Sequence, residues 1–117
     1  RGHPESAVSS SERKDTRCAM AVTLRYVFSI PTAKEGEFTK WLHEEKASLN
    51  EQPGLIGGKV YKSIQADSKF NFINVAIWES EEQYRQAYEK HVPRAKARLV
   101  ELGAEITRGS YQVALEY

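Results

Sequence analysis

The sequence predicts an α+β domain in which one four-stranded antiparallel sheet carries two helices on a single face. Three observations predict it. Apolar residues alternate with a period of two around 22–30, 55–64, 69–79 and 104–116, the signature of half-buried strands. Two intervening stretches carry helical stripes, each opened by residues at capping-box spacing. The link between the second and third strands, Gln65-Ala66-Asp67-Ser68, has hairpin length.

Each element follows from local chemistry. Val22, Leu24, Tyr26, Phe28 and Ile30 share one face of the first strand, which Pro31 ends. Thr32-Ala33-Lys34-Glu35 has capping-box spacing, and Phe38, Leu42 and Leu49 with Trp41 form a helical stripe running to about Asn50. Pro53-Gly54 marks a turn. In the second strand, Gly57-Gly58 predicts a bulge or a close backbone approach. The third strand alternates cleanly: Phe70, Phe72, Asn74, Ala76 and Trp78 on one face, and Ile73, Val75 and Ile77 on the other. Ser80-Glu81-Glu82-Gln83 opens the second helix, with Tyr84, Ala87, Tyr88 and His91 along one side. Pro93 is expected to break or restart that helix; Ala95, Leu99 and Leu102 continue its apolar side, and Gly103 is a C-cap candidate. The last strand is expected to present Tyr111, Val113 and Leu115 on one face. The order βαββαβ is the ferredoxin-like arrangement.

Composition narrows the function. A chain of 117 residues suits one domain. Seventeen basic against sixteen acidic residues, with no basic tract, imply no nucleic-acid partner. The apolar runs are too short to span a membrane, so no membrane partner is implied. Cys18 is the only cysteine, which excludes an internal disulfide and a cysteine-based zinc site; a reducing, cytoplasmic setting fits. Residues 1–19 are Ser-rich and mixed in charge, and are expected to be an N-terminal extension or an expression remnant, with the domain spanning 20–117. Helices can cover one sheet face only, yet the third strand is apolar on both. A homodimer through the Ile73/Val75/Ile77 face is therefore expected.

The candidate site lies on the other face. Asparagine is depleted from strands and costs free energy in an apolar interior unless its amide finds partners, so Asn74 demands an explanation. Asn74 and Trp78 are four apart on a strand and point the same way, into a space walled by Phe70, Phe72, Tyr84 and Tyr88. Two neutral N–H donors aimed at one point suit an oxygen bearing negative charge. Arg98, at the edge of the last helix's apolar side, is placed to add positive charge or orient an acidic phenol. The plainer readings are an Asn bonding neighbouring backbone, a core Trp, helix-packing tyrosines and a surface Arg. His43 and His91 have no second metal-ligand candidate at helical spacing, so no metal site is assigned.

From Met20 onward the chain resembles the antibiotic biosynthesis monooxygenase domain, a dimeric α+β barrel family, through PGLIGGKVYKS and FNFINVAIWESEEQYRQAY. Its quinone-forming members use an Asn and a Trp four apart, a Tyr six after the Trp and an Arg twenty after it. Asn74, Trp78, Tyr84 and Arg98 stand at those spacings. The resemblance implies oxygenation of a phenol or hydroquinone by O2 with no cofactor, with those four residues catalytic and Phe38, Phe70, Phe72 and Tyr88 around the substrate. An ionised, electron-rich ring can itself reduce O2, so the substrate takes the cofactor's place. Two alternatives stand beside it. Haem-degrading relatives carry a proximal His on the last helix; here 93–98 reads PRAKAR, and His91 is expected at the wrong end. A non-catalytic, small-ligand-binding dimer is the other.

Overall fold

The computed structural model describes residues 21–117. The expected extension over 1–19 and the domain start at Met20 lie outside the described residues. Strand β1 (Val22–Ser29) leads through a 3-10 turn (Thr32–Lys34) into helix α1 (Glu35–Asn50). Strands β2 (Leu55–Lys62) and β3 (Phe72–Trp78), helix α2 (Glu81–Glu101) and strand β4 (Glu105–Tyr111) follow. The strands pair antiparallel in the order β2-β3-β1-β4, giving the expected ferredoxin-like α+β fold. No helix among the described residues is long and apolar enough to cross a membrane.

Several local expectations hold. The bulge falls between Leu55 and Gly57, and Gly58 approaches β3 so closely that an added Cβ would lie 2.7 Å from the Val75 carbonyl oxygen. Ser80 caps α2, its hydroxyl accepting from the Gln83 backbone N–H at 3.2 Å. Gly103 follows α2 at φ +73°, a conformation that closes a helix without steric penalty only for glycine.

Others are corrected. Helix α2 runs unbroken through Pro93. The ring forfeits one intrahelical bond, but Ala87 and Leu99 anchor the turns on either side in the core. The Thr32 capping box does not form, because Glu35 is engaged elsewhere. Regular pairing of β4 ends at Tyr111, so Val113 and Leu115 lie beyond the strand and are exposed.

The core is two clusters rather than one. Phe28, Phe38 and Phe72 stack in series, with centroids 5.0 and 4.8 Å apart, and close one end of the layer with Ile30, Leu99 and Leu102. Val22, Leu24, Trp78, Tyr84 and Ala87 close the other. On the far face of the sheet, Ile77 is 40% exposed and Tyr61 51% exposed.

The turn after β1 is held by Asn71. Its side-chain oxygen accepts from the Ile30 N–H at 2.9 Å, and its amide donates to the Ile30 carbonyl at 2.8 Å, as a neighbouring strand would. The same amide donates to Glu35 at 2.7 Å, and Lys62 lies 3.1 Å from that carboxylate. The Asn71 bond first, then Lys62, hold Glu35 below its ordinary value of 4.5. We expect Asn71→Ala to cost about 1–3 kcal/mol in denaturant unfolding, since it strands two backbone groups. A carboxylate with a depressed folded pKa stabilises above its unfolded value and loses that contribution as pH falls through the folded one. The wild-type advantage over Asn71→Ala should therefore narrow as the pH drops below 4.5.

Candidate functional site

Register builds the site. On the helix-covered face, Val60 pairs with Asn74, Asn74 with Tyr26, and Tyr26 with Arg108, one residue from each strand in sheet order. This polar row lies between the Phe28/Phe72 row and the Leu24/Ala76 row, that is, between the two apolar clusters.

Tyr84 comes down from α2 to complete it. Its hydroxyl lies 2.9 Å from that of Tyr26, and Arg108 Nη1 donates to it at 3.0 Å. The Arg108 guanidinium also sits over the Tyr88 ring, 4.1 Å from the centroid, a cation–π contact that orients the fork. The Trp78 and Tyr84 rings meet edge to face at 5.8 Å. Burial, and then the hydrogen bond to Tyr84, push the Tyr26 phenol far above its ordinary value of 10.0. For Arg108, burial opposes the charge, but the Tyr84 bond and the surrounding phenols outweigh it and raise its pKa. Tyr26 is thus kept a neutral acid beside a fixed cation.

Above the row lies a cavity of about 600 Å³. Space exists because the neighbouring row is small: Ala76 faces Gly58, which can carry no side chain. Asn74, Trp78, Tyr84 and Tyr88 all line the cavity, as do Tyr26 and Arg108.

The other residues expected at the site are elsewhere. Arg98 is not in the lining; its Nη1 lies 3.0 Å from Glu101 on its own helix, near the end that Leu99 and Leu102 seal. Phe38 and Phe72 are buried in the aromatic stack that walls off one end, and Phe70 precedes β3, with Lys69 Nζ 5.4 Å from its ring centroid. Tyr26 and Arg108 are the residues that sequence reasoning missed. Period-two alternation put Arg108 in reach, on the face opposite Tyr111, but the hydrophobic pattern of 111–115 drew attention to the wrong side of β4. His91 does line the cavity, one turn beyond Tyr88, and its Nε2 is buried with no hydrogen-bond partner among the described residues.

No family model matches the chain, and no curated protein matches it. Solved structures do. A Shewanella loihica protein classed provisionally as a monooxygenase is 26% identical, with a TM-score of 0.70 over 83% of this chain and 97% of that one. SnoaB, a cofactor-independent oxygenase from Streptomyces nogalater, is 23% identical, with a TM-score of 0.69 over 84% and 97%. MhuD, a haem degrader from Mycobacterium tuberculosis solved with two haems in its active site, is 19% identical, with a TM-score of 0.60 over 82% and 98%. The fold is of the monooxygenase type. This monooxygenase-type fold agrees with the family resemblance read from the sequence, and the cavity described above lies between its sheet and helices.

The Tyr26 shift has a measurable consequence. A phenol held protonated in the native state binds its proton more tightly than in the unfolded chain, so stability falls as pH rises through the unfolded value of 10.0. We expect unfolding free energy to decline above that pH in the wild type and less steeply in Tyr26→Phe, as read by alkaline urea titrations. Equal slopes would show that Tyr26 is not held in its acid form.

Proposed function

We propose that the protein is a cofactor-independent monooxygenase that oxidises a phenolic or hydroquinone-type aromatic with O2. The observation that carries this reading is the Tyr84 hydroxyl, gripped by Arg108 and Tyr26 at the wall of a cavity that also takes in Asn74 and Trp78. The fold shared with SnoaB supports it.

The chemistry balances without a further reagent. A phenol with an unsubstituted ring carbon reacts with O2 to give a quinone and water. The ring loses four electrons and O2 gains four; one oxygen atom enters the ring and the other leaves as water with the phenolic and ring protons. Asn74 and Trp78 supply neutral N–H donors for the substrate oxyanion, and Arg108 adds the fixed charge that the resemblance assigned to Arg98. The electron-rich ring then reduces O2, and a carbon–oxygen bond forms. Tyr84 donates its proton as the peroxide O–O bond breaks and regains one from the phenolic and ring protons that the substrate releases, while neutral Tyr26 holds its oxygen in place at 2.9 Å. The cavity orients the ring against these donors.

The test is oxygen uptake by metal- and flavin-free protein with simple hydroquinones and naphthols. Asn74→Ala and Arg108→Gln should each lower uptake about a hundredfold, the scale of losing one oxyanion donor. Arg98→Ala should stay near the wild-type rate. Absence of uptake with every quinol tried would overturn the reading.

A second reading, haem binding, is favoured by one observation: the buried, unpartnered His91 Nε2 at the cavity wall. His91 would hold the haem through its imidazole, and haem would supply the O2 activation. In the same samples, a 1:1 haemin complex with a shifted Soret band that His91→Ala abolishes, together with no quinol-dependent uptake, would select it.

We propose also that the protein is a homodimer through the far sheet face, where Ile73, Val75, Ile77 and Tyr61 form an apolar surface that the helices leave uncovered. Light scattering at micromolar concentration should give twice the chain mass, and Val75→Asp should halve it. A monomeric wild type would refute the dimer and leave the catalytic proposal standing.

A further inference from the structure

The cavity lining is more basic than the molecule. The chain carries a formal charge of +1, yet Lys46 from α1, Lys96 from α2 and Arg108 from β4 all line the cavity, while Lys59 of β2 borders it with its register position on the other face of the sheet. Glu45 is the only carboxylate there, and it is already matched by Arg94, whose Nη2 lies 2.8 Å away across the two helices. Lys46 and Lys96 have no ion-pair partner among the described residues.

An exposed lysine without a partner is ordinary taken singly. Two lining one largely apolar cavity that also holds an arginine are not, because low-dielectric walls focus their field into the space beside them. Arg108 is fixed at the sheet by Tyr84 and Tyr88, so the mobile charge belongs to the lysines. An ammonium on a flexible stem is a point charge that follows its anion, unlike the fixed fork of arginine.

We propose that the cavity is selective for an aromatic bearing an acidic substituent remote from its reacting hydroxyl. Lys46 and Lys96 receive the acid, while Arg108 and Asn74 receive the hydroxyl. This assignment of the hydroxyl end rests on the oxygenase reading, whereas the preference for an acid does not need turnover. Lys59 is left out of the pair because its register partner is Val75, on the far-face alternation of the sheet.

Calorimetric titration of the wild-type protein with 2-naphthol, 6-hydroxy-2-naphthoate and 6-hydroxynaphthalene-2-sulfonate tests it. At low salt the acids should bind roughly five- to tenfold more tightly than the neutral parent, the gain expected of a focused cationic wall. That ratio should shrink as salt is raised and collapse toward one in the Lys46→Gln/Lys96→Gln double variant. A gain shared by carboxylate and sulfonate marks recognition of charge alone; a gain with the carboxylate only marks that group as the natural substituent. Equal affinities for acid and parent, or a gain that survives both the variant and high salt, would overturn the proposal. Oxygen uptake measured on the same ligands separates the two claims. Acid preference without uptake defeats the oxygenase reading alone, and uptake without acid preference defeats this one alone.

Discussion

The placement of β1 between β3 and β4 governs the rest of this structure. Because Tyr26 is paired with Asn74 on one side and Arg108 on the other, three polar side chains must share one row on the helix-covered face. A slip of one residue would send that strand's members of the row to the opposite face, and apolar burial by Val22, Leu24 and Phe28 forbids it. Polar groups in such a place are tolerable only when they have partners or access to a ligand. The row meets that condition from above, through the Tyr84 hydroxyl, and leaves Asn74 in the cavity lining.

The split core is the other side of the same arrangement. A domain of this size has little apolar area to spare, and a chamber in its middle forgoes packing that a continuous core would gain. The loss is confined because each end is sealed independently, by the Phe28/Phe38/Phe72 stack and by the Trp78 cluster. Trp78 serves both purposes: it is packed against Tyr84 and Ala87, yet also lines the cavity. Gly58 and Ala76 then keep the neighbouring row low, so the space stays open without strain on larger side chains.

Much of this was legible in residue order. Alternation placed Asn74 and Trp78 on the buried face, helical spacing placed Tyr84 and Tyr88 above them, and the paired glycines announced the bulge. What escaped depends on tertiary context. The spacing that nominated Arg98 locates a backbone position, not a guanidinium, and that group lies 3.0 Å from Glu101, outside the cavity lining. Arg108 and Tyr26 meet only through strand pairing between segments more than eighty residues apart, which no local pattern encodes. Phe38 and Phe72 were recognised as inward-facing, but the difference between sealing a chamber and lining it lies in how α1 sits. Pro93 misled because propensity is a local prior and the buried flanks of α2 outweigh it.

SnoaB and MhuD share this fold while one is a cofactor-independent oxygenase and the other a haem degrader, so the fold itself selects no chemistry. The selection has to come from what the strands present beneath the helices. In this chain the central row offers an amide, a phenol locked in its acid form and a guanidinium that stays charged. That set is suited to holding an oxyanion. The one feature of the cavity suited to a metal-bearing ligand, His91, is carried by the helix, not by the row. Both readings therefore draw on different walls of one chamber. Tyr26 and Arg108 of the row are both hydrogen-bonded to Tyr84, whereas His91 Nε2 stands without a partner among the described residues. An arrangement already organised for the charge that develops in a reaction needs no rearrangement to act on it, which is why the sheet row, not the helix histidine, is the better guide to what this protein does.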